Sequence, residues 1–145
     1  MSDSPFKKPT STGGEFFSPK NHVGDLAIIL EPKKVLKDQP FDDNGTPGTR
    51  DVAIADIACF RDHGDVEKGE PSVILKGAKI TQSILVGDIE ENGWVDEVAL
   101  VVIRQPKRAY VYRSVEDEAA EAAAGEWYSR RNEEIEKNLD EVPEF

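Results

Sequence analysis

The chain has 145 residues, 38% hydrophobic and 32% charged, the size of one ordinary domain of roughly 100–150 residues. A single cysteine, Cys59, excludes an internal disulfide framework, and no apolar run reaches the roughly 18–20 residues that a membrane span needs. The net charge of −11 divides unevenly: residues 1–113 carry 15 Lys and Arg against 18 Asp and Glu, whereas residues 114–145 carry 3 against 11.

That division describes a nearly balanced body followed by an acidic interaction tail. The first ten residues, MSDSPFKKPT, lack the apolar stretch of a signal peptide. With the lone cysteine, this predicts a soluble protein of a reducing, cytoplasmic compartment. Residues 1–22 hold three prolines and two glycines without periodicity and read as an N-terminal arm. The aromatics of that arm, Phe6, Phe16 and Phe17, are too many for a bare linker and are expected to dock on the domain.

From Val23 the pattern turns to β. Leu26–Leu30 is a continuous apolar run that continues through Lys33, Lys34, Val35, Leu36 and Lys37, a long bent strand with Pro32 at a bulge or an edge. Residues 38–48, DQPFDDNGTPG, read as a loop by composition. Residues 49–61 alternate as a second strand, with Asp56 interrupting one face. A turn over DHGDVEKGE leads to a third strand at 71–76, and the spacing of Ile80, Ile84 and Leu85 predicts a short helix over 79–86 ending at Gly87. Strands follow at 98–104 and 108–113, joined by Gln105-Pro106-Lys107. Ser114 and Asp117 then open an Ala-rich C-terminal helix over 114–138, with Gly125 a candidate break, and residues 139–145 form an acidic tip.

The order β-β-β-α-β-β predicts a mainly β domain over 23–113, a five-stranded Greek-key barrel of the OB-fold type with an added C-terminal helix. In such barrels the face of strands 2 and 3, flanked by the β1-β2 and β4-β5 loops, takes oligonucleotides or oligosaccharides. On this reading Lys33, Lys34 and Lys37 line the first strand. Arg104, Lys107 and Arg108 surround the β4-β5 turn, with Tyr110 and Tyr112 just beyond. Phe60 and Trp94 complete the set of stacking candidates. Cations along phosphates and aromatic faces under bases are how single strands are held without a sequence code, at roughly 1–3 kcal/mol per stacked base. Several of these residues also have a plainer reading: Tyr110 and Tyr112 capping a barrel end, Lys33, Lys34 and Lys37 blunting an edge strand, Trp94 covering a core gap.

The segments Pro5-Phe6-Lys7-Lys8-Pro9 and Gly14-Glu15-Phe16-Phe17, the strand Leu26–Leu30, the DVAIADIACF strand, the Ile-Leu helix and the late aromatic strand resemble the single-stranded DNA-binding proteins of actinobacterial phages. The resemblance runs over most of residues 5–113. It implies a non-catalytic protein that coats exposed single strands during phage replication or recombination, in the host cytoplasm. The tip is similar in style to the acidic Pro-Phe ends of the wider family. By that resemblance Asp140, Glu141, Pro143 and Phe145 would contact replication or recombination proteins, although Glu144 stands between Pro143 and Phe145 and a helix replaces the usual flexible linker. Homo-oligomerisation is expected because linked sites gain avidity.

No cofactor or metal is implied, since His22, His63 and Cys59 show no ligand or nucleophile-base spacing. The main rival is an acidic phage module that binds a host factor or mimics DNA, which the net charge favours. The same charge split suggests that the acidic helix and tip compete with DNA for the binding face.

Overall fold

The computed structural model describes residues 15–140, with the backbone alone at residues 43 and 134–140. Five strands, β1 (Ala27–Asp43), β2 (Thr46–Phe60), β3 (Val73–Ile80), β4 (Ala99–Arg104) and β5 (Val111–Arg113), form one antiparallel sheet in the order β3-β2-β1-β4-β5. Helix α1 (His63–Lys68) joins β2 to β3, α2 (Ser83–Glu91) joins β3 to β4, and α3 (Glu118–Asp140) follows the sheet. The sheet is open: β3 and β5 are its two edges, and no ladder joins them among the described residues. No helix among those residues is long and apolar enough to cross a membrane.

Strand alternation explains the two layers. On β2 the residues Cys59, Ile57, Ala55 and Ala53 point inward and join Ile28 and Leu30 of β1, Ala78 and Ile80 of β3, Ile103 of β4, and Leu85, Val86 and Ile89 of α2 in one core. The alternate residues Phe60 and Ala58 point outward with Ala27 and Ile29 of β1, and Ala120 and Ala124 of α3 close over them. Helix α3 runs unbroken through Gly125, which meets nothing within 4 Å, so the expected break does not occur. Small alanines let the helix approach the sheet, and Trp127 then fills the gap edge-on to Phe60, 6.4 Å between ring centroids.

Three local expectations are corrected. Residues 38–48 belong mostly to the β1-β2 hairpin, because only Asn44-Gly45 turns the chain. Their φ angles of 53° and 87° are the pair of left-handed residues that a two-residue hairpin loop requires. Lys79 and Ile80 extend β3 rather than open a helix, and α2 begins at Ser83. The turn after β2 contains α1, capped by Asp62, whose carboxylate accepts from the Asp65 N–H at 3.0 Å.

Bulges shape the sheet. β1 shifts register between Pro32 and Lys34 and again between Leu36 and Gln39, so it bends as its prolines suggested. On β3, Gly77 takes a φ of 60° at a third irregularity and donates its N–H to Asp56 Oδ1 at 2.8 Å. The carboxylate that interrupts the β2 pattern therefore holds a bulge.

Candidate nucleic-acid interface

Beyond Ala58 the outer face of β2 continues through Asp56, Ile54, Val52 and Arg50, and the cover over it changes. Cross-strand pairing places Lys34 of β1 beside Ile54, and Ile54 beside Lys79 of β3, so two lysines flank one isoleucine in a single row. The next rows are Leu36 with Val52 and Gln39 with Arg50. Together with Pro40 and Phe16 these residues line an open groove of about 520 Å³. Its floor is aliphatic and its rim carries three cations.

Two phenylalanines complete it. Phe16 precedes the sheet, but its segment lies parallel to the end of β3: the Phe17 N–H donates to the Lys79 carbonyl at 2.8 Å, and the Lys79 N–H donates to the Glu15 carbonyl at 2.9 Å. Phe17 is buried in the inner core while Phe16 remains 58% exposed. The Lys79 ammonium lies 5.3 Å from the Phe16 ring centroid. The Arg50 guanidinium lies 4.6 Å from the Phe41 ring and 6.0 Å from the Phe16 ring. Phe41 lies across Gly48, where an added Cβ would sit 3.3 Å from the ring. The result is an alternation of cations and aromatic faces, each contact worth about 0.5–1 kcal/mol at an exposed site.

The residues expected from sequence fall in different places. Lys34 lines the groove. Lys33 is exposed on the β1 bulge, 3.7 Å from Glu31 and 3.9 Å from Asp56. Lys37 bridges Asp51 at 3.2 Å and Glu90 of α2 at 2.5 Å. Its pKa is raised chiefly by the Glu90 hydrogen bond, and that of Asp51 is lowered by the Asp38 N–H and by Lys37. Lys107 and Arg108 are exposed in the β4-β5 loop, where Gln105 Nε2 donates to the Arg108 carbonyl at 2.9 Å. Arg104 is a half-buried strut, donating to the Val23 carbonyl at 2.7 Å and to its neighbour Ile103 at 2.9 Å.

Of the aromatic expectations, that for Phe60 needs correction. Phe60 is 0% exposed beneath α3, so it holds the outer core and presents no face for a base. Trp94, Tyr110 and Tyr112 pack on the rim of the inner core, with Trp94 and Tyr112 5.6 Å apart. Burial and then the negative charge of Asp88 push the Tyr112 phenol well above its ordinary pKa. Glu141, Pro143 and Phe145 lie outside the described residues, as does the side chain of Asp140, the last residue of α3.

Sequence reading missed Arg50 and Lys79 and valued Phe16 only as an anchor. The signal was present in part: continuing the β2 alternation past Val52 puts Arg50 on the same face as Ile54. Lys79 required the β2-β3 register. Comparison of the chain with protein-family models, curated proteins and solved structures found no match.

Proposed function

We propose that this chain is a non-catalytic, largely sequence-independent single-stranded DNA-binding protein of the OB type. The observation that carries this reading is the groove in which Lys34, Arg50 and Lys79 alternate with Phe16 and Phe41 over an aliphatic floor. Cations at this spacing suit phosphates, and two rings suit unstacked bases, whereas a duplex hides the faces of its bases. The groove lies on the outer face of β1 and β2 and reaches β3 at Lys79, next to the strand 2 and 3 face that OB barrels use. The sheet order β3-β2-β1-β4-β5 is compatible with such a barrel left unpaired between β3 and β5. The setting in phage replication or recombination, coating exposed strands in the host cytoplasm, rests on the resemblance in residues 5–113, as do the homo-oligomer and the partners of the tip.

The test is anisotropy of a labelled oligothymidine and of a matched duplex, each titrated with the full chain at two salt concentrations. Salt-sensitive binding of the single strand in preference to the duplex is expected. Binding of neither by the folded protein would overturn the reading. That result would favour an acidic module that binds a host factor. The observation behind this second reading is the surface of α2, where Ile84 is 44% exposed beside Asp88, Glu90 and Glu91.

A further inference from the structure

At the end of the sheet where β2 finishes, a buried polar cluster remains that the groove does not use. His22 ends the single-turn 3-10 helix Pro19–Asn21, and the Asp25 N–H donates to the His22 carbonyl at 3.1 Å, so a tight turn aims both side chains at β2. There they meet Cys59. His22 is 6% exposed, Asp25 1% and Cys59 0%. One ligand atom from each, an imidazole nitrogen, a carboxylate oxygen and the thiol sulfur, lies within 4.8 Å of the others.

We propose that His22, Asp25 and Cys59 form a structural Zn²⁺ site that pins the segment before β1 to the end of β2. Imidazole nitrogen, carboxylate oxygen and thiolate sulfur are the three donor types that zinc takes, at about 2.0–2.3 Å each. Those lengths set tetrahedral donors roughly 3.3–3.8 Å apart, inside the 4.8 Å that encloses the cluster. One adjustment is required. His22 Nδ1 and Asp25 Oδ2 are hydrogen-bonded at 2.5 Å, and they must part as the ion takes the proton's place.

The outer contacts suit a metal ligand. Arg61 Nε donates to the other Asp25 oxygen at 2.9 Å, which orients the carboxylate and leaves Oδ2 for the ion. Phe17 stacks on the His22 ring with centroids 5.0 Å apart, fixing its plane. An open pocket lined by Gly24, Arg61, Asp62 and Ser72 borders Asp25, and the fourth ligand would be a water entering from that side. The proton balance is simple: the thiol proton leaves to solvent, the imidazole proton moves to Nε2, and the ion meets a thiolate, a carboxylate and a neutral imidazole. Sequence spacing hid the site, because His22 and Asp25 form a local pair while Cys59 arrives from another strand.

The test uses the full chain after chelator treatment, titrated with Co²⁺. Because Cys59 is the only cysteine, a thiolate-to-cobalt charge-transfer band identifies that ligand without a variant. One equivalent of Co²⁺ is expected to give that band together with the visible bands of a tetrahedral ion, and Zn²⁺ should bleach both. In a folded His22→Gln chain the Co²⁺ affinity should fall at least tenfold. No charge-transfer band from the folded wild-type chain would overturn the proposal, as would saturation at half an equivalent, which marks thiols shared between two chains. Unchanged affinity in folded His22→Gln would also overturn it. Should that variant not fold, the wild-type spectrum and stoichiometry still decide.

Discussion

The outer face of the sheet has two halves built on the same strands. Near Phe60 it carries small or aliphatic residues, Ala27, Ile29 and Ala58, and α3 lies on them through Ala120, Ala124 and Trp127. Further along β2 the same alternation delivers Ile54, Val52 and Arg50, with lysines on both neighbouring strands and, among the described residues, no cover but Phe16 and the neighbouring Phe41. One half is closed by complementary packing. The other has a similar aliphatic floor but a rim of cations, which an apolar helix face like that of Ala120 and Ala124 could not bury without leaving charges unpaired. The boundary lies at Glu31 and Asp56, where Arg131 reaches Glu31 at 3.4 Å and Tyr128 reaches it at 3.3 Å. Substitutions in the first half should therefore read out as stability, and those in the second as binding.

The largest expected effect is in the covered half. Phe60→Ala should cost about 3–5 kcal/mol of folding stability, as large aromatic deletions in a core do, measured by urea denaturation. Oligonucleotide affinity of the folded fraction should stay within about twofold. A stable variant with lost binding would return Phe60 to the stacking role that its sequence context suggests, and would dissolve the distinction between the halves.

Next is the support beneath α3. Helix α1 meets α3 where Arg130 donates to the Gly69 carbonyl at 3.2 Å, and Asp65 holds α1 in place. Its Oδ2 accepts from the Ser72 hydroxyl at 2.5 Å and from the Arg61 N–H at 2.9 Å. Burial alone would raise its pKa, but the hydrogen bonds from Ser72 and Arg61 outweigh burial and hold it below the ordinary 3.8. A depressed folded pKa contributes stability above the ordinary value and loses it as the pH falls through the folded one. Asp65→Ala should cost about 2–3 kcal/mol near neutral pH. Melting curves of Asp65→Asn should fall less steeply with pH below 3.8 than those of the wild type. An equally steep fall would assign the acid sensitivity elsewhere.

In the open half the signs reverse. Phe16→Ala should leave the melting temperature nearly unchanged, since the ring is mostly exposed, and weaken single-strand binding by about 1–3 kcal/mol. Arg50→Ala should weaken binding of all sequences alike and reduce the slope of log K against log salt by about 0.7 for one lost phosphate contact. Binding unaffected by both, with single-strand affinity intact, would move the interface to Lys107 and Arg108 in the β4-β5 loop.

How much of this was legible follows from the range of each signal. The strands of the body announced themselves because alternation is local, and Pro32 marked a real bend for the same reason. The stretch 38–48 misled because its prolines and aspartates resemble a loop by composition. Pro40 and Pro47 nevertheless sit in a hairpin whose β1 strand has β4 beside it only at Ile28–Leu30, so a missing N–H is tolerated further out. Asn44-Gly45 was the better guide. Helix α2 was placed too early because Ile80 fits a helical period as well as a strand, and only the Gly77 bulge carries β3 past that point. The site was half visible. Lys34 could be named from its strand, but Arg50 and Lys79 become neighbours through Ile54, and that register is long-range information. Phe60 failed as a stacking residue because its cover, α3, lies 60 residues further along the chain.

The smallest expected effect concerns the charge asymmetry. Removing residues 114–145 would strip Ala120, Ala124 and Trp127 from the outer core, so a loss of binding in that truncate would report unfolding. Cutting after Glu133 keeps those contacts and removes five acids and one lysine, taking the net charge from −11 to −7. Helix α3 runs from the Phe60 end towards Glu31, and the groove begins beyond Glu31 on the same face. Less repulsion of the polyanion, and less competition for Lys34, Arg50 and Lys79, should tighten oligothymidine binding roughly twofold to fivefold at low salt. The gain should shrink as salt shortens the screening length towards about 8 Å at physiological ionic strength. A folded truncate that binds no tighter at low salt would show that the acidic end neither repels nor competes. The covered and open halves of the face would then act independently of the tail.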